Sequence, residues 1–135
     1  MRSLDTTGLP PAPAWSEADL VDLTTRLANE PTPIPADRAW SVPLLVTGEV
    51  EAWLVGWPAG LVTPAHDHGR ATVAVTVLEG SLSEECLDPT IWTTGRRTTW
   101  RAGASTLFPA GHVHVLGAAG DQPVKVATVG FIPPT

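Results

Sequence analysis

Glu51-Ala52-Trp53-Leu54-Val55-Gly56-Trp57-Pro58-Ala59-Gly60-Leu61-Val62-Thr63-Pro64-Ala65-His66-Asp67-His68-Gly69 reads as a strand, a Pro/Gly turn and a loop carrying two histidines. In the strand, Glu51, Trp53, Val55 and Trp57 share one face, with Ala52, Leu54 and Gly56 on the other, because side chains alternate along extended backbone. The same grammar runs outward from Arg38 to the end of the chain. Turn signals recur at Thr47-Gly48-Glu49, Pro58-Ala59-Gly60, Glu79-Gly80-Ser81, Thr94-Gly95-Arg96, Ala102-Gly103, Pro109-Ala110-Gly111 and Gly120-Asp121. Between them lie short runs such as Ala71–Leu78 and Lys125–Ile132, rich in Val and Thr. Short strands at this spacing predict an all-β barrel or sandwich.

Upstream the pattern changes. Residues 1–15 hold Pro10, Pro11 and Pro13 and little periodicity, so an extended arm is expected, with Trp15 docking its end. Ser16-Glu17-Ala18-Asp19 has the form of a helix N-cap with acidic residues in the first turn. Leu20, Val21, Leu23, Thr24 and Leu27 follow at helical spacing, which predicts one amphipathic helix over 17–28. The prolines at 31, 33 and 35 end it. The domain expectation is therefore an arm over 1–15 and a single domain over 16–135.

With 135 residues, 43% of them hydrophobic and 16% charged, the chain can bury one real core. A net charge of −6 argues against a nucleic-acid footprint and against an anionic membrane surface. Cys86 is the single cysteine, so no intramolecular disulfide can form. No apolar run has the length of a signal peptide or a membrane span, and a cytoplasmic location is the expectation.

The four histidines fall in two His-x-His pairs, His66-Asp67-His68 and His112-Val113-His114. Residues two apart on a strand point the same way, and a barrel brings distant strands face to face, so the pairs can converge on one metal. Neutral imidazole suits iron, zinc, copper and nickel. Taken singly, either pair also reads as two surface residues on an edge strand. Asp67, lying between two candidate ligands, points away from them and suits a turn or an outer supporting role.

Gly60 with His66-Asp67-His68, followed by Gly103 with Pro109-Ala110-Gly111-His112-Val113-His114, resembles the two motifs of the cupin superfamily. That resemblance implies a jelly-roll-like double-stranded β-barrel with one N-terminal α-helix and a metal at its mouth. It selects His114 over His112 as the ligand of the second motif, leaving His112 as a rim residue or as a group that supports the ligands from behind. Where the first motif usually carries a glutamate ligand this chain has Thr72 and Val73, so a three-histidine site of His66, His68 and His114 is implied. The frame from Trp53 to Gly69, with Val77-Leu78-Glu79-Gly80 and Phe131-Ile132-Pro133-Pro134, is similar to the cysteine dioxygenase type I family of thiol dioxygenases. Members hold non-haem Fe(II), bind a small thiol through sulfur, and use O2 to make a sulfinic acid.

Several family features are absent. The chain has no tyrosine, so the cysteine–tyrosine crosslink of some members cannot form. The Ser-x-His-x-Tyr relay of the last strand is matched to Ala127-Thr128-Val129-Gly130-Phe131. No arginine stands around Trp40–Val42, where the family pairs one with the substrate carboxylate; Arg38 and Arg70 are the nearest cations by sequence and read equally as solvated loop residues. Trp40, Trp57, Phe131 and His112 are the other candidates for the substrate wall. An apolar pocket lacking the relay favours an uncharged or less polar substrate. Three readings follow: an Fe(II)-dependent thiol dioxygenase; a metal-binding cupin that senses or binds a small molecule or runs another reaction; or a structural or interaction protein with vestigial histidines. A small-molecule thiol and O2 are the expected partners, with no nucleic acid, no membrane, and a homodimer through an exposed barrel edge as a further possibility.

Overall fold

A computed structural model describes residues 4–10, 15–28, 37–88 and 93–132. One helix, α1 (Glu17–Thr25), precedes eight strands: β1 (Trp40–Val46), β2 (Val50–Trp57), β3 (Thr72–Glu79), β4 (Ser81–Asp88), β5 (Thr93–Arg101), β6 (Ser105–Phe108), β7 (His114–Ala118) and β8 (Val124–Phe131). They form a five-stranded sheet in the order β1-β2-β8-β3-β6 and a three-stranded sheet in the order β5-β4-β7, with every pairing antiparallel.

Alternation along the strands of the larger sheet gives it two apolar faces. Ala52, Leu54, Ala74, Ala127 and Val129 form one buried cluster with Leu20, Leu23 and Leu27 of the helical segment. Val73, Val75, Val77 and Val126 form the other, with Leu82 and Leu116 from the smaller sheet. The helix therefore covers the outside of the sandwich, and the second cluster fills its inside. Small residues at 52, 74 and 127 let the helix lie close, and burial of each leucine contributes roughly 1.5–3 kcal/mol.

The helix begins as expected. Ser16 Oγ accepts from the Asp19 backbone N–H, and the Asp19 carboxylate accepts from the Ser16 N–H, completing a capping box. The helix is shorter than the expected 17–28, because the ladder stops at Thr25 and the remaining residues form turns. Thr24 is buried and its hydroxyl meets that of Thr76 at 2.6 Å, which satisfies both against the sheet. Trp15 is buried and donates its indole N–H to the Pro10 carbonyl at 2.6 Å, so it docks the described part of the arm. The proline-rich stretch at 31–35 lies outside the described residues.

Gly80 adopts φ 76°, and a Cβ there would stand 2.2 Å from the Pro123 carbonyl oxygen, so only glycine fits between β3 and β4. Thr94-Gly95, expected in a turn, instead lies within β5, and the chain between β4 and β5 falls at residues 89–92, outside the described residues. Among the described residues, no helix is long and apolar enough to cross a membrane.

Candidate metal centre

The loop after β2 returns along β7 and carries the first histidine pair onto the second. Thr63 and His66 donate their backbone N–H groups to Leu116 and His114 carbonyls at 2.7 and 3.0 Å, and His114 returns one to His66 at 2.9 Å. Thr63 Oγ1 accepts from the Leu116 N–H at 3.0 Å. This approach needs Gly117: a Cβ there would lie 2.8 Å from both the Leu61 carbonyl oxygen and Val62 Cγ1. Asp67 points away from the pair and accepts from the Gly69 N–H at 3.0 Å, a turn contact.

His66, His68 and His114 meet inside the sandwich with one ring nitrogen each within 4.8 Å of the others. Their rings stand edge to face, with centroids 4.7–5.4 Å apart. Hydrogen bonds to the far nitrogens fix which atoms face inward. His66 Nδ1 lies 2.8 Å from the Pro64 carbonyl, an acceptor only, so Nδ1 carries the proton and Nε2 is the free lone pair. His114 Nδ1 donates to Glu84 Oε2 at 2.7 Å, which likewise leaves Nε2 open. His68 Nε2 and His114 Nε2 are buried with no hydrogen-bond partner among the described residues. Orphaned nitrogens of this kind are costly unless an ion takes their lone pairs. Three convergent imidazoles, with the Nδ1 of two engaged by outer acceptors, fit a divalent transition metal.

Glu84, missed in the sequence reading, is the organising residue of the outer ring. It is 2% exposed and accepts from His114, from His112 Nε2 at 2.9 Å and from Cys86 Sγ at 3.4 Å. Burial alone would raise its pKa, but these donors outweigh that and hold it below the usual 4.5. Leu82, Glu84 and Cys86 share a strand face, and this alternation beneath an apolar Leu82 was the available signal. One carboxylate oxygen serving both imidazole N–H groups explains the Glu84, His112 and His114 cluster as support for a ligand. Cys86 is pushed above its ordinary pKa by burial and then by Glu84, which disfavours a reactive thiolate.

His66 and His68 open into a cavity of about 400 Å³ lined by Trp53, Val55, Trp57, Leu82, Phe108 and Leu116, with Glu51, Thr63 and Thr128 as the other polar side chains. Several expected wall residues lie elsewhere. Trp40 and Phe131 pack on the helix-side cluster, Arg38 is exposed and pairs with Asp37, and neither Arg70 nor His112 lines the cavity. His112 instead stacks on Phe108, with ring planes 5° apart, behind His114. The match of the relay to Ala127, Val129 and Phe131 also changes: these face the helix, and Val126, Thr128 and Gly130 face the cavity. A shift of one residue along a strand reverses every side chain.

A family profile described as cysteine dioxygenase type I matches residues 36–135. The chain belongs to the cysteine dioxygenase type I family. No curated protein matches its sequence. Similar solved structures include a cupin superfamily protein from Desulfitobacterium hafniense DCB-2 (15% identity, 96% of this chain and 98% of that one, TM-score 0.63). A conserved protein of unknown function from Streptococcus pyogenes is similar over 100% of this chain and 98% of its own (16% identity, TM-score 0.64). The Cnp3 cupin domain of Schizosaccharomyces pombe matches 70% of this chain at 14% identity and TM-score 0.62, and this chain spans 65% of that one. These likenesses establish the cupin fold, on which this cysteine dioxygenase family member carries a three-histidine metal site.

Burial, followed by the neighbouring His114 and His66 rings, pushes the His68 pKa from 6.5 down to about 4. The unfolded chain therefore binds a proton at His68 that the metal-free fold refuses. Stability of the metal-free protein is expected to fall as pH drops from about 6.5 towards about 4. Urea midpoints across that window, compared with those of His68→Gln, check this: the variant should show the weaker pH slope, and equal slopes would contradict it.

Proposed function

We propose that this protein is a thiol dioxygenase that holds Fe(II) through His66, His68 and His114 and converts a small thiol to its sulfinic acid. The observation that carries the reading is the convergence of three imidazole nitrogens beside a largely apolar cavity, in a chain of the cysteine dioxygenase type I family. Bound Fe(II) supplies open coordination positions for a thiolate and O2 together with the redox chemistry that joins them. Overall, R–SH and O2 give R–SO2H: both oxygen atoms pass to sulfur, which gives up the four electrons that O2 takes, and no external reductant is needed.

The chain's own residues hold, orient and exclude. Pro64 and Glu84 fix the His66 and His114 rings in the tautomer that offers Nε2. Trp53, Trp57, Phe108 and Leu116 keep bulk water from the reacting sulfur. A second reading, a metal-dependent small-molecule binder, draws on the cavity face of β8, where Val126, Thr128 and Gly130 offer no group to move a proton near neutral pH.

Oxygen uptake by protein reconstituted anaerobically with Fe(II) separates the two readings. Challenged with amino, neutral and carboxylate thiols, the dioxygenase should consume one O2 per sulfinate formed. An iron-loaded protein that consumes no oxygen with any of them would overturn the proposal in favour of the binder.

A further inference from the structure

On the cavity face of β2, Glu51 is followed by Trp53, Val55 and Trp57. Strand register sets Glu51 opposite Gly130 of β8, which in turn lies opposite Val73 of β3. This row crosses the sheet where the His68 loop enters β3, so it is the row at the histidine end of the cavity. Gly130 has no side chain, which leaves room beside the Glu51 carboxylate. Trp53 stands in the next row, opposite Thr128. The Glu51 carboxylate makes no hydrogen bond or ion pair with any described residue, and no arginine or lysine is among the described residues lining the cavity. The charge at the mouth is thus opposite in sign to one that would receive a carboxylate.

We infer that Glu51, with the Trp53 ring beside it, reads an ammonium group, so that the substrate is a small aminothiol lacking a carboxylate. The inference rests on the thiol reading above and adds its specificity. A carboxylate attracts the cation and an indole face adds a cation–π contact, while the rest of the wall accepts the carbon chain. A carboxylate-bearing thiol would meet Glu51 as a like charge. Because Glu51 is exposed, the preference should weaken with added salt.

The test uses the full chain loaded with Co(II), in which binding of a thiolate is read from its sulfur-to-cobalt charge-transfer band without turnover. The thiols are 2-aminoethanethiol, 2-mercaptoethanol and 3-mercaptopropionate. Comparing wild type with Glu51→Gln cancels their differing thiol acidities. Glu51→Gln should weaken the aminothiol about five- to tenfold at low ionic strength, strengthen the carboxylate thiol, and leave 2-mercaptoethanol unchanged. Glu51→Lys should reverse the order of the charged pair. Unchanged affinity ratios in both variants would overturn the role of Glu51 while leaving thiol binding intact. If none of the three thiols gives the band in wild type, the thiol reading itself fails and this inference with it.

Discussion

Replacing His114 with alanine is expected to weaken metal binding by more than about a hundredfold, beyond the range typical of an outer partner's loss, whereas His112→Ala retains stoichiometric metal. The two residues sit in one His-x-His pair, yet their nitrogens do different work. His114 is fully buried, with Nδ1 tied to Glu84 and Nε2 without a partner among the described residues; His112 is half-buried, stacked on Phe108, and turns Nε2 to the same carboxylate. Metal content after dialysis, with a competition titration for affinity, reads the difference. His66→Ala guards against misfolding, because His66 lies on a half-buried loop and its loss should remove metal while far-ultraviolet circular dichroism stays unchanged. Retention of full affinity in His114→Ala would show that the ion sits elsewhere.

Glu84→Ala should be the most damaging change that touches no ligand nitrogen. It leaves the buried His114 N–H without its acceptor and frees the ring to turn, while His112 and Cys86 lose the same anchor. Leaving a buried donor unsatisfied costs about 1–3 kcal/mol, and losing the orienting carboxylate costs roughly 10–100-fold in metal affinity. Glu84→Gln keeps one acceptor oxygen at similar volume and should fall between. Urea unfolding of the metal-free proteins measures the first effect and metal competition the second. A Glu84→Ala protein with wild-type metal affinity would mean that His114 is oriented by its backbone alone.

Much of the fold is legible in the sequence, because the features that specify it are local. Glycine and proline turns bound the strands, the Ser16 cap starts the helix, and alternation places Glu51, Trp53, Val55 and Trp57 on one face. Alternation does not say which face is inside. Along β8 both faces are apolar and buried, one against the helix and one against the smaller sheet, so nothing in Val124–Phe131 distinguishes Ala127, Val129 and Phe131 from Val126, Thr128 and Gly130. The match of the relay could therefore slip by one residue. Trp40 was hidden for a related reason: it lies across Gly56, where the missing side chain on the helix side of β2 makes room for its indole ring. Glu84 was masked because Ser83-Glu84-Glu85-Cys86 has the composition of a solvated strand, and only the convergence of His112 and His114 explains a carboxylate inside the sandwich.

Whether a single metal ion is held by three imidazoles can be read from X-ray absorption at the iron edge of the anaerobically loaded protein. One iron per chain with three histidine nitrogens in its coordination shell is expected, with sulfur joining that shell when an aminothiol is added. A shell built from carboxylate oxygens, or fewer than three imidazole nitrogens, would contradict the three-histidine site.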